Sequence, residues 1–477
     1  MYSFILCLLL LIMSYFVYGK ILEKIVGVDE SRPTPVQRME NGVDYVPLSR
    51  IKNFLIHFLN IAGLGPIFGV IQGALFGPSA FLWITFGTIF IGAVHDFFSG
   101  FLSLRHDGYT MPKVISKYLG KTVQKFIAVI TIITGILVAS VFASGSASLI
   151  STLTDTPILL WIVIIFIYFL VATLFPLDKI IGKVYPIFGL LFLVMVILIT
   201  GALFLHPEYQ IPEFTTSGLF LSDKPIFPFL FITIACGAIS GFHASQSPIV
   251  ARSMKNENDA RPVFFGAMVL EGITALCWAA VTLAFFHAQP QIAAVYAGTP
   301  TVGVYQMASN LINPIGVALI ILGVVVCPIT TGDTALRSSR ITISDELNIN
   351  QEKLLSRLKI ALPLFIISFA LTFVDFSLIW RYFSWFQLIF AIAVLLTATV
   401  YLIKIKKQYL ITLIPAVICI LIAFAYILQA PEGLALPAMI SNIISVILTI
   451  ILTGIFLKIY KFNNKNEDNN KIEEENS

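Results

Sequence analysis

The chain has 477 residues, of which 58% are hydrophobic and only 12% charged, and its net charge is +4. Average soluble domains carry roughly 25% charged residues, and so few charges cannot cover the surface of a globular protein of this length. Soluble, secreted and nucleic-acid-binding classes are excluded; a multi-pass protein embedded in a lipid bilayer is what remains.

A membrane-crossing helix needs about 20 mostly apolar residues. In chain order such stretches fall at 2–19, 54–75, 79–103, 124–150, 157–175, 184–206, 226–247, 263–287, 312–331, 359–375, 379–401, 410–428 and 436–457. Between them, 109–119 carries Lys113 and Lys117 and reads as an interfacial helix, while 300–311 is too short to span and reads as a short external or re-entrant helix. The expectation is an all-α polytopic membrane protein with about 13 transmembrane helices.

Basic residues mark the cytoplasmic side of membrane proteins. Taking the connections alternately, twenty-eight of the thirty Lys and Arg fall on one side, and only Lys224 and Arg381 on the other. This places the N-terminus outside and the C-terminus inside. Lys20 and Lys24 follow the first span rather than precede it, which argues for an N-out anchor and against a secretory signal. The organisation predicted is an anchor at 1–20, a cytoplasmic motif loop at 21–53, a transporter core at 54–401, two additional helices at 402–460 and a disordered cytoplasmic tail at 461–477. Cys7, Cys236, Cys277, Cys327 and Cys419 all lie within spans, and they are expected to pack as small apolar residues.

Two spans carry unusual helix-breaking content. One is HFLNIAGLGPIFG at 57–69, with Gly63, Gly65 and Pro66; the other is IACGAISGFHASQSP at 234–248, with Gly237, Ser240, Gly241 and His243. Backbone groups freed inside a bilayer are tolerated where protein or a water-filled cavity satisfies them. Paired interruptions at matching positions of two halves point to a transporter's substrate site. Setting the anchor aside, these spans are the first and sixth, and the charge parse runs them in opposite directions. That is a 5+5 inverted repeat, and it resembles the fold of the amino-acid/polyamine/organocation superfamily. Glycines also permit close helix packing, but two interruptions at related positions favour a site. Gly63, Gly65, Pro66, Gly237, Ser240, Gly241 and His243 are therefore the substrate-binding candidates.

Ionisable groups at membrane depth are expensive and mark function by default. Asp96 lies on a face running Thr85, Thr88, Gly92, Asp96, Ser99, Ser103, which points into protein, and His95 adjoins it. Glu271 lies in a later span, and Thr330, Thr331 and Asp333 lie in CPITTGDTALRSSR at 327–340. A hydroxyl pair with free carbonyls suits Na⁺, whereas carboxylates beside imidazoles suit a proton. Asp96, His95, Glu271, Thr330, Thr331 and Asp333 are the coupling candidates, with H⁺ favoured over Na⁺. Arg337 and Arg340 read as cytoplasmic anchors. No GxxxxGK[ST], HExxH, CxxC or GxSxG motif occurs, so the expectation is no catalytic residue, no metal, no cofactor beyond the coupling ion, and no enzyme.

The stretch RPTPVQRMENGVDYVPLSR at 32–50, followed by HFLNIAGLGPIFG, resembles the carbon starvation protein A family of bacterial inner-membrane proteins. LWITFGTIFIGAVHDF at 82–97, SGFHASQSP at 240–248 and TTGDTALRSSR at 330–340 continue the resemblance in order. Ile56 stands where the family often has a first histidine, and Val70 where a proline commonly follows Gly69; members are usually longer. The resemblance implies a secondary transporter that imports peptides, or pyruvate by proton symport, when carbon is scarce. The alternative is a non-transporting receptor for a small carboxylate. Channel and intramembrane-enzyme readings have no supporting motif, and association of like chains is left open.

Overall fold

The computed structural model describes residues 1–462 apart from Val43, Phe175, Pro176, Ser217 and Glu352, and of 173–183 and 461–462 only the backbone. Residues 463–477 of the predicted tail lie outside the described residues. Among the described residues every regular element is a helix, with one isolated bridge between Leu48 and Met254 in place of any sheet.

Among the described residues ten helices are long and apolar enough to cross a membrane, and the bent pair Arg50–Ala62 with Gly65–Phe76 makes up to eleven. The other two predicted spans fall on the shorter helix Ile158–Leu174 and on an interrupted stretch. In the latter, Ile226–Thr233 ends, the chain turns irregularly, and His243–Ala251 begins. Both short predicted helices are present, as Met111–Leu119 and Pro300–Leu311.

Burial follows the bilayer as solvent. On Ser79–Arg105 the polar face Thr85, Thr88, Asp96, Ser99, Ser103 is fully buried, whereas Leu82, Phe86 and Phe90 are more than two-fifths exposed. Apolar side chains outward and polar ones inward is the reverse of a soluble helix, because hydrocarbon cannot satisfy a hydroxyl or carboxylate. Lys121–Thr154 and Pro314–Leu347 form the most extensive helix pair, and Phe376–Lys404 packs on both Lys121–Thr154 and Leu410–Gln429.

The segment that carries the long sequence motif ties helix ends together. Leu48 N–H donates to the Ser253 carbonyl at 3.0 Å, Asn53 reaches the same carbonyl at 3.3 Å, and Arg38 pairs with Asp107 at 2.6 Å. Glu257, almost wholly buried, accepts from the Asp29 N–H at 3.0 Å and from Arg105. Beside this junction His106 receives the Lys117 ammonium on Nδ1 at 3.3 Å and holds the Tyr118 hydroxyl on Nε2 at 2.8 Å.

Burial and the Lys117 charge push the His106 pKa down from 6.5 to about 4. The unfolded segment takes up a proton near 6.5 while the folded one resists until about 4, so this corner loses stability as pH falls through that window. Protection factors over 104–119, with each rate divided by the intrinsic exchange rate at its pH, are expected to be lower at pH 5 than at pH 7. In His106→Gln that difference is expected to vanish.

Candidate functional site

The first broken segment ends its leading helix at Ala62, where Gly63 takes φ +49° and ψ −144°. Only glycine enters that region without strain. A wide π turn over Gly65–Gly69 then restarts the helix, bent by 50°. Ending the helix frees the Leu59 carbonyl, and side chains from Pro314–Leu347 satisfy it: Thr331 donates its hydroxyl at 3.1 Å and Cys327 its thiol at 3.2 Å. In the second broken segment the Thr88 hydroxyl donates to the Gly237 carbonyl at 3.3 Å.

The two breaks pack on each other. A Cβ on Gly65 would lie 2.2 Å from Cys236 Cβ and Sγ, and one on Gly69 would lie 2.8 Å from the Thr233 carbonyl oxygen. A Cβ on Gly237 would likewise lie 3.6 Å from Pro66 Cα. Gly92, at the end of a second π turn over Thr88–Gly92, approaches the Ala238 carbonyl with no room for a side chain. This contact brings the next residues, His95 and Asp96, against the second break.

Asp96 there accepts from two imidazoles. His95 Nδ1 lies 2.8 Å from Oδ1 and His243 Nδ1 lies 2.8 Å from Oδ2. The other ring nitrogen of His243, Nε2, faces Glu271 Oε2 at 3.3 Å, without hydrogen-bond alignment. All four side chains are fully buried. When Asp96 is ionised it is acceptor-only, so each Nδ1 then donates to it and each neutral ring presents a lone pair on Nε2. His57 stands against Phe264 with ring centres 5.0 Å apart, and neither of its nitrogens has a partner. The arrangement can hold and pass charge: three imidazoles and two carboxylates from four segments, shielded from water.

The predicted residues are thus sorted into distinct settings. Asp96, His95 and Glu271 come together, and His243, expected to hold substrate, joins them. Gly65, Pro66 and Gly237 form the crossing of the breaks; Gly63 packs on Phe142. Gly241 abuts the Gln387 backbone, and Ser240 donates to the Gln387 side chain at 2.5 Å. Thr330 donates to the Cys327 carbonyl at 2.7 Å. Asp333 belongs to a separate set of contacts, accepting from Tyr168 at 3.0 Å and from Tyr185.

Three features escape sequence reading. Cys236, packed in the core against Gly65, also lies beside His243 and Glu271, and Cys327, likewise in the core, bonds a freed carbonyl. Arg337 and Arg340, read as cytoplasmic anchors, are 2% and 5% exposed. Their helix continues to Leu347, so Arg337 reaches the Ala172 carbonyl and Arg340 reaches Gln351. Asn60 and Gln387, amides at membrane depth and so legible in principle, are wholly buried; both Asn60 amide atoms lack a partner.

A hydrogen bond to a carboxylate is worth roughly 1.5–3 kcal/mol. Tyr185→Phe, which deletes a donor to Asp333, is expected to lower the unfolding free energy of the purified protein by about that amount in a denaturant titration.

Comparison with known proteins places this architecture. The chain matches the family model described as "Carbon starvation protein CstA" over residues 1–159 and 147–316. An uncharacterized membrane protein of Haemophilus influenzae is 42% identical over 337 residues, covering 60% of this chain and 91% of that protein. The peptide transporter CstA of Bacillus subtilis is 29% identical, over 56% of each chain. The pyruvate/proton symporter BtsT of Escherichia coli is also 29% identical, over 54% of this chain and 45% of its own. The chain therefore spans about half the length of these named transporters.

Among solved structures, MhsT in complex with L-phenylalanine superposes with a TM-score of 0.61 at 13% identity, covering 85% of this chain and 99% of that one. A manganese transporter of Eremococcus coleocola gives 0.56 at 13% identity, covering 89% and 99%. At such identities the likeness is one of fold, and the fold is that of membrane transporters, in keeping with a chain that is not an enzyme. The matched model takes in both broken segments and the buried His–carboxylate cluster between them, and this multi-pass membrane protein belongs to the carbon starvation protein CstA family.

Proposed function

We propose that the chain is a secondary active transporter that imports peptides or pyruvate-like small carboxylates across the bacterial inner membrane, driven by H⁺ or Na⁺, in the response to carbon starvation. The observation that carries the reading is Asp96, fully buried and shared by His95 and His243 where two broken helices cross. A carboxylate between imidazoles changes its protonation with small changes in surroundings, and a crossing of two breaks is an element able to rearrange. H⁺ is thus favoured over Na⁺, with Asp96, His95 and Glu271 as the coupling groups. Thr330, Thr331 and Asp333 flank the first break as a second coupling position.

Substrate carboxylate is assigned to the backbone around Gly63, Gly65, Pro66, Gly237, Ser240 and Gly241, where freed N–H groups serve an anion. The wider scheme is thirteen spans, N-terminus out and C-terminus in. It comprises an anchor at 1–20, a cytoplasmic loop at 21–53, a 5+5 inverted-repeat core at 54–401, two further helices at 402–460 and a cytoplasmic tail at 461–477.

The test is reconstitution in liposomes with labelled pyruvate or dipeptides under an imposed pH or Na⁺ gradient. Accumulation above the external concentration is expected with an inward proton gradient. Absence of uptake for every carboxylate under both gradients rejects the reading.

A further inference from the structure

We propose that Cys236, His243 and Glu271 form a binding site for one divalent transition-metal ion of the zinc class, held where the two broken segments cross. The proposal goes beyond the transport reading and does not depend on it.

One ligand atom from each of the three residues lies within 4.8 Å of the others, and all three side chains are buried. Ionised Asp96 accepts a hydrogen bond from His243 Nδ1, which leaves a lone pair on Nε2, 3.3 Å from Glu271 Oε2. Neither Nε2 nor either Glu271 oxygen has a hydrogen-bond partner. A cation held between the Nε2 lone pair and the Glu271 carboxylate satisfies both. A shared proton would draw the pair to roughly 2.7–2.9 Å. Two ligands at roughly 2.0–2.1 Å from a tetrahedral ion instead stand about 3.3 Å apart, which is the separation found.

The surroundings agree with the geometry. A metal-bound histidine commonly donates its other ring N–H to a carboxylate, which fixes tautomer and orientation; Asp96 does this for His243. Thiolate, imidazole and carboxylate together select zinc-class ions over Mg²⁺ or Ca²⁺, which take oxygen ligands. A divalent ion also neutralises the thiolate and carboxylate, whose charges are costly at membrane depth. Three protein ligands leave a fourth position for water or a small ligand. With the ion in place, Asp96 and His95 are the groups left to carry a proton.

The test uses the full chain, solubilised and purified in the presence of Zn²⁺ or Co²⁺ and then desalted. One ion per chain is expected, and the Co²⁺ form is expected to show thiolate-to-cobalt charge-transfer absorption. Cys236→Ser should abolish that absorption. Glu271→Gln should weaken Zn²⁺ binding at least 10-fold, and Asp96→Asn, which acts through His243, by about 10–100-fold. Cys419→Ser, in another helix, should change nothing. A parent protein that retains neither ion, or that lacks the charge-transfer band, overturns the proposal without reference to any variant. Binding that survives in both Cys236→Ser and Glu271→Gln overturns it equally. Because these readouts are made without transport, they fail or succeed separately from the liposome experiment.

Discussion

Asp96→Asn is expected to insert and purify like the parent yet to accumulate no substrate against its gradient, with gradient-driven uptake falling at least 100-fold toward that of empty liposomes. The carboxylate accepts from His95 and His243 at 2.8 Å each. Asparagine offers one oxygen acceptor and one amide donor, so one of the two Nδ1–H groups then meets another donor and its ring must take the other tautomer. The change is nearly isosteric and removes a buried charge, which spares the fold. What it removes is the only group of the three that exchanges a proton with both rings. Unfolding by denaturant should differ little between parent and variant. If Asp96→Asn still accumulates substrate at the parental rate, Asp96 is a packing residue, and the coupling role passes to the Asp333 position.

Gly65→Leu is expected to abolish uptake, and Gly65→Ala to destabilise the fold by about 1–3 kcal/mol, the usual range for overpacking a dense core. In a bilayer, helices are held by close van der Waals fit rather than by exclusion from water, so the loss of one close approach is felt fully. The reason differs from the one the sequence suggests. Gly65 lines no open gap in this structure; its missing Cβ is the space occupied by Cys236, 2.2 Å away. Pairing Gly65→Ala with Cys236→Gly should therefore restore much of the stability lost by the single change, measured as a double-mutant cycle. An additive cycle would show that the two breaks do not meet at this point. The two predictions act on different properties: Asp96→Asn on coupling with the fold intact, Gly65→Ala on the joint through which the breaks must move.

Much of the candidate site was legible because a membrane simplifies the reading of polar residues. Asp96 stood out as a carboxylate on an apolar helix, and its buried face of Thr85, Thr88, Ser99 and Ser103 followed from three-and-four spacing. The breaks at Gly63–Gly65 and around Gly237–Gly241 were visible because glycine and proline are local signals. Cys236 was not legible. A thiol in an apolar span looks like any small hydrophobe until a histidine and a glutamate from other helices stand beside it. The burial of Arg337 was not legible for a related reason: hydropathy marks where a span ends in composition, whereas the Pro314–Leu347 helix runs on under cover of its neighbours.

What the sequence by itself determined is the class and the inventory: a multi-pass helical membrane protein, most of its long apolar helices, its two interruptions and a short set of buried ionisable groups. Those follow from one-dimensional properties, apolar length and local backbone preference. Only the tertiary structure decided which of those groups meet. It joined His243 to Asp96 across 147 positions of chain, set Glu271 and Cys236 beside them, and left Asp333 with two tyrosines elsewhere. The physical reason is that helix periodicity fixes which face a residue occupies but not which helix that face packs against. That choice is made by the close approaches at Gly65, Gly92 and Gly241, where the absence of a side chain lets distant segments touch.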